Sequence, residues 1–246
     1  MASSDAAAQM SGTDWGGFYV GGNAGVNFLH SDPGGSTDTV QDVFGFGYAG
    51  ATQFPGNETV GTSNGSGGMF GGQAGFNWQQ ARWVYGGELG FSWLGNDTVA
   101  TKGNQPFGYA HGGFSYSYST TSMRTSKAQG LFTLRGRIGE DFNGTMPYVI
   151  GGFALAQVKS TWTFNGPAYS GTQSASKTSW LPGFAIGAGI EQKLGPNWSL
   201  RGEFSWMQFQ TQKLGNPVHT YIAVGAGQAA FKSTIATLTV GLNYRF

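Results

Sequence analysis

The sequence contains no cysteine, which excludes disulfide bonds, thiolate nucleophiles and every cysteine-ligated zinc site. It is also short of charge. Lysine, arginine, aspartate and glutamate make up 10% of the chain, where a soluble domain carries about 25%. The 13 basic residues nearly cancel the 12 acidic ones, so composition gives no pull toward nucleic acid or acidic ligands. So little charge would leave the surface of a water-soluble fold poorly hydrated. A third absence is the long apolar run: no stretch has the roughly 18 consecutive apolar residues that a transmembrane helix requires. Residues 1–10 have neither a basic start nor an apolar core and do not form a signal peptide. Residues 1–14 are expected to be a flexible periplasmic N-terminal segment, with any secretory signal already removed.

What is present is apolar material distributed singly. Aromatic residues reach 15%, and 44 of the 246 residues are glycine, against a usual glycine share of about 7%. A transmembrane β-barrel has this composition, because alternate side chains along each strand face lipid and interior. Alternating stretches fall near residues 15–30, 67–80, 83–95, 126–142, 147–162, 178–194, 198–212 and 232–246. The links between them are alternately long and short. Ala81-Arg82, Asn143-Gly144-Thr145 and Gly195-Pro196-Asn197 have the composition of hairpin turns, whereas 31–66, 96–125, 163–177 and 213–231 are long. That asymmetry belongs to outer-membrane barrels, which have short periplasmic turns and longer extracellular loops. The predicted fold is all-β: a closed eight-stranded antiparallel up-and-down transmembrane barrel over 15–246, located in the cell outer membrane.

Side chains two apart share a face of a sheet, and the strands sort accordingly. Phe18, Val20, Ala24, Val26 and Phe28 oppose Tyr19, Gly21, Asn23, Gly25 and Asn27; Phe132, Leu134 and Ile138 oppose Thr133, Arg135 and Arg137. Trp198, Leu200, Phe204 and Trp206 oppose Ser199, Arg201, Glu203 and Ser205, and Leu238, Val240, Leu242, Tyr244 and Phe246 oppose Thr237, Thr239, Gly241, Asn243 and Arg245. The apolar sets are expected to meet lipid. The stretch from Pro147 to Trp162 is ambiguous and its faces stay unassigned. Eight tryptophans fall near predicted strand ends, Trp15, Trp78, Trp83 and Trp198 toward the short turns and Trp93, Trp162, Trp180 and Trp206 toward the long loops. Two interfacial aromatic girdles are the expectation.

Asp14-Trp15-Gly16-Gly17-Phe18-Tyr19-Val20-Gly21-Gly22-Asn23-Ala24-Gly25 resembles the first strand of the small porin-family, opacity-type outer-membrane barrels. Gly241-Leu242-Asn243-Tyr244-Arg245-Phe246 is similar to the family's terminal strand. There Gly241, Tyr244 and Phe246 would serve as the signal read by the barrel-assembly machinery. Gly151-Gly152-Phe153-Ala154 and Gly187-Ala188-Gly189 resemble its glycine-rich fifth and sixth strands. The resemblance covers the strands and not the loops, and it implies a fold and an address. The similar transmembrane domain of outer-membrane protein A has an interior filled by charged side chains.

By parity the lumen carries Glu88, Arg135, Arg137, Glu191, Arg201 and Glu203, and Lys193 and Arg245 are further candidates for it. An eight-stranded barrel is just wide enough for its own side chains, and unpaired buried charge is costly. Pairing into a plug is therefore expected over a charged constriction that selects ions.

Enzyme signals are weak. Gly45-Phe46-Gly47-Tyr48-Ala49-Gly50 has dinucleotide-site spacing but lacks the flanking strand and helix. His30, Ser31 and Asp32 are neighbours in an extended chain and cannot converge as a triad. His111 and His219 also lie in predicted loops, leaving a lipid-modifying enzyme as the third reading. The leading one is a surface protein with a structural role, without cofactor or metal; a narrow diffusion channel comes second. Outer-membrane lipid and lipopolysaccharide are the expected surroundings. Phe44 to Tyr48 and Phe107 to Tyr118 interleave aromatics with small polar residues, a composition suited to adaptable recognition of a surface ligand or a neighbouring copy. The second run is equally read as a hairpin continuing the third and fourth strands.

Overall fold

In the computed structural model the described residues are 14–34, 40–41, 63–96, 99–111, 114–165, 173–215, 219–220, 223–225 and 228–246. Eight long strands span the barrel: β1 Gly17–Gly34, β2 Ser63–Gln80, β3 Trp83–Asn96, β4 Phe114–Glu140, β5 Thr145–Asn165, β6 Gln173–Lys193, β7 Trp198–Phe209 and β8 Gln228–Arg245. Each pairs antiparallel with its neighbour in sequence, and β1 pairs with β8, with Tyr19 opposite Arg245 and Leu29 opposite Ile235. The sheet is thereby closed. Closure satisfies every ladder within the barrel, as a strand wall facing hydrocarbon demands.

The short links are tight. Phe142 and Thr145 exchange backbone hydrogen bonds of 2.8 and 3.3 Å around Asn143 and Gly144, and both central residues have positive φ, 54° and 92°. That is the turn for which Asn-Gly is favoured, because its twist matches the flanking strands. Ala81 turns the β2–β3 hairpin with φ 55°.

Spanning a bilayer takes about 9–11 strand residues, so the 27 residues of β4 reach well beyond it. Residues Val99–His111 form a further strand against the outer part of β4, pairing Val99 with Ser126 and His111 with Phe114. Residues 107–111 and 114–118 of the aromatic run thus pair in a hairpin that continues β3 and β4. Phe44 to Tyr48 lie outside the described residues.

Parity holds on the lipid face: Phe18, Val20, Val26, Phe28, Leu134, Leu200, Phe204, Leu238, Val240 and Leu242 are exposed. The structure also resolves β5, whose faces the sequence leaves open. Val149, Phe153 and Leu155 point out, while Met146, Tyr148, Ile150, Ala154, Ala156 and Val158 point in and are buried. Both faces are apolar because this strand's outer half lines an apolar part of the lumen.

Trp78, Trp83, Trp93, Trp180 and Trp198 are exposed on the outer wall, and Trp206 is half-buried there, as girdle positions would be. Trp15 corrects the expectation: it is fully buried, at 0% exposure. The chain enters β1 through Gly17 at φ 107°, and the indole lies in the periplasmic mouth of the barrel instead of on its rim. The side chain of Trp162 lies outside the described residues.

Candidate functional site in the barrel lumen

Four charged side chains form a closed ring across the lumen. Glu88 on β3 and Arg135 on β4 are register partners, and Arg201 and Glu203 lie two apart on β7, on another part of the wall. Arg135 donates to Glu88 Oε1 at 2.7 Å and to Glu203 Oε1 at 2.5 Å; Arg201 donates to Glu88 Oε2 at 2.5 Å and also to Glu203 Oε2. Each guanidinium bridges both carboxylates, and each carboxylate receives both guanidinium groups. Fork geometry suits arginine to this task. Tyr19 Oη donates to Glu88 at 2.8 Å and Tyr148 Oη to Glu203 at 2.9 Å, with Ser205 Oγ donating to Glu203 at 2.9 Å. All four charged groups are at most 9% exposed, and in such a setting only full pairing offsets the desolvation cost.

A second layer lies toward the periplasm. Arg137 donates to Glu191 Oε2 at 2.8 Å, while Ser199 and Asn243 donate to Glu191 Oε1 at 2.6 and 2.9 Å. The Arg137 guanidinium also stands 4.8 Å from the Tyr148 ring and 5.4 Å from the Tyr19 ring, within the range of cation–π attraction. Three arginines thus meet three glutamates across the two layers. The tyrosines fit because their register partners are glycines: a Cβ at Gly75 would stand 2.4 Å from Tyr19 Oη, and one at Gly189 would stand 2.5 Å from Tyr148 Oη. Aromatic side chains laid over cross-strand glycines pin barrel register in this way.

The mouth below is covered by Trp15, whose Nε1 donates to Asp141 at 2.9 Å and whose ring lies 4.9 Å from the Arg245 guanidinium and 5.2 Å from Lys193 Nζ. Lys193 and Arg245 also donate to the Asp14 carbonyl, at 2.5 and 3.2 Å.

Above the ring the lumen changes character. Leu29, Met69, Leu94, Ala128, Leu131, Ala154, Ala156, Val158, Leu181, Ala185, Met207, Phe209 and Ile235 form one buried apolar cluster in the extracellular half. Leu29, Ile235, Met207 and Ala185 occupy a single register row across β1, β8, β7 and β6. Sequence parity assigns the lumen to polar residues and misses this zone; the one available signal was the apolarity of both faces of β5.

The structure therefore brings together all six charges that parity placed in the lumen: Glu88, Arg135, Arg137, Glu191, Arg201 and Glu203. Gly241 and Tyr244 lie on β8, and Phe246 follows it with its ring 5.2 Å from that of Tyr244. His30 faces outward on β1 with Nδ1 2.6 Å from Asn64 Oδ1; the side chains of His111 and His219 lie outside the described residues. Among the described residues, no three histidine, aspartate or glutamate side chains gather into a metal-holding group.

A closed antiparallel barrel with an apolar outer wall, aromatic rims and paired interior charge defines a transmembrane barrel of outer-membrane type. The chain belongs to the outer membrane protein beta-barrel domain family, whose model matches residues 1–246. It is 28% identical over 251 residues to a 31 kDa outer-membrane immunogenic protein of Brucella melitensis, covering 99% of this chain and 89% of that one. It is also 28% identical over 145 residues to a 22 kDa outer membrane protein of Rhizobium leguminosarum bv. viciae, covering 58% and 54% respectively. Among solved structures it is similar to the outer membrane protease OmpT from Escherichia coli, at a TM-score of 0.45 and 9% identity over 94% of this chain and 97% of that one. That likeness is too distant to inform activity.

Proposed function

We propose that this protein is a non-enzymatic, non-conducting barrel that helps to stabilise the outer membrane and presents its extracellular loops for contact with other molecules. The observation that carries the reading is the closed ring of Glu88, Arg135, Glu203 and Arg201 across the lumen. An ion moving through would have to break charge-assisted hydrogen bonds that also hold the wall. The buried apolar cluster above is a second obstacle in series, since narrow apolar segments exclude water and ions. The hairpin of Val99–His111 against β4 supports a surface role, because the 27 residues of β4 exceed the length that crosses a bilayer. The immunogenic designation of the Brucella relative agrees with exposed loops.

The test is single-channel conductance in a planar bilayer, with folding first verified by different gel mobility before and after boiling. The wild-type barrel should be silent. A Glu88→Ala/Glu203→Ala variant that still folds should also stay silent, and current should appear only when Leu29, Met207 and Ile235 are changed to serine as well. Uniform current steps from the wild type would overturn the reading and make the ring a selectivity filter.

A further inference from the structure

The register of β4 shifts between Ala128 and Gly130, leaving Gln129 as the extra residue of a β-bulge. Such a bulge flips the parity of everything beyond it. Below it the even-numbered Phe132, Leu134 and Ile138 face out; above it Lys127 is exposed while Ser126 and Ala128 are buried. Lys127 is thereby turned outward, directly opposite Lys159 of β5, which is also exposed. Like charges placed opposite one another across a strand pair are destabilising. Among the described residues neither lysine has a carboxylate partner.

Their setting is specific. Two residues inward along β5 is Gln157, whose register partner on β6 is the exposed Trp180, a girdle residue at the outer interface. Thr178 lies beside Lys159, and Thr125, Thr161 and Ser176 form the next register row out. Two ammonium groups and several hydroxyls thus stand just beyond the aromatic rim, at the level of the outer leaflet's headgroups.

We infer that Lys127 and Lys159 form a lipid-phosphate site that holds a phosphorylated glycolipid of the outer leaflet against β4 and β5. The anion supplies the countercharge that the pair lacks. The bulge is the device that assembles the site, since without it Lys127 would point into the lumen. The inference is independent of whether the lumen conducts.

Native mass spectrometry of the refolded full chain, titrated with lipopolysaccharide, tests it. With an attraction of about 1 kcal/mol per lysine, or roughly five-fold in affinity, Lys127→Gln/Lys159→Gln should bind about thirty-fold more weakly. Lys127→Arg/Lys159→Arg should retain the lipid. Unfolding measurements supply the second arm: in phosphatidylcholine vesicles Lys127→Gln should raise the midpoint by relieving repulsion, and in lipopolysaccharide-containing vesicles it should lower it. Equal lipid affinity of wild type and double glutamine variant would overturn the site. So would undiminished binding of dephosphorylated lipopolysaccharide, or full stabilisation of the wild type in phosphatidylcholine by inorganic phosphate alone.

Discussion

The two halves of the lumen fill the same kind of space by opposite means. Toward the periplasm, Glu88, Arg135, Arg137, Glu191, Arg201 and Glu203 pair across the lumen, and each side chain depends on a partner carried by another strand. Toward the outside, Leu29, Met207, Ile235 and their neighbours pack as an apolar cluster with no charged member. The charged half is geometrically exacting, because one missing partner leaves a buried charge exposed to a low-dielectric surround. The apolar half is forgiving, because volume can be conserved by several residues. Specific register is thus concentrated below, and tolerance to change above.

The largest expected effect comes from breaking the ring. Glu88→Ala leaves Arg135 and Arg201 each without one of two carboxylates and Tyr19 Oη without its acceptor. By analogy with other buried pairs the barrel should lose about 3–5 kcal/mol, read as the shift in urea unfolding in lipid vesicles. A loss under 1 kcal/mol would show that the ring is not a structural unit.

In the apolar half the removal of a large side chain leaves only a cavity. Met207→Ala should cost about 2–5 kcal/mol, and Met207→Leu, which nearly conserves volume, under about 1.5 kcal/mol. The contrast with Glu88 lies in that rescue: no residue of similar size other than another acid should restore the ring, so Glu88→Gln should remain substantially destabilised. Equal recovery by Met207→Leu and Glu88→Gln in the same unfolding assay would abolish the distinction between the halves.

This difference also decides what could be read from the sequence. A charge at every second position of a strand that must face hydrocarbon can only point inward, so Arg135 and Arg137, or Arg201 and Glu203, announce the lumen by themselves. An apolar residue such as Ile235 or Val158 carries no such mark, since lipid and packed interior ask for the same chemistry. The short turns were legible because Asn143-Gly144 has one favoured geometry. Trp15 departs from the girdle expectation for a related reason: an indole at a strand end suits a membrane rim, and its burial follows from the path of the chain at Gly17 and from its Nε1 contact with Asp141, neither of which its own type and position announce. The bulge at Gln129 was equally hidden, because one unpaired residue changes register without changing composition.

Tyr148 combines the two means, a buried ring in an apolar cluster with Trp15, Val84, Met146 and Ile150 and a hydroxyl in the charged ring, and loss of that hydroxyl alone is the small and discriminating effect. Its ring covers Gly189 and faces the Arg137 guanidinium, while its hydroxyl donates to Glu203. Tyr148→Phe removes only the hydroxyl, and Glu203 keeps both arginines and Ser205, so the loss should be about 1.5 kcal/mol, that of one hydrogen bond to a charged group. Tyr148→Ala additionally uncovers the glycine and opens a cavity, and should cost about 3–5 kcal/mol, as for other large aromatic truncations. If unfolding midpoints of the two variants coincide, the hydroxyl carries the whole contribution of this tyrosine, and its ring adds nothing to the buried cluster of Trp15, Val84, Met146 and Ile150. If Tyr148→Phe matches the wild type, the carboxylate is already saturated by arginine, and the tyrosine acts in the lumen as a packing residue.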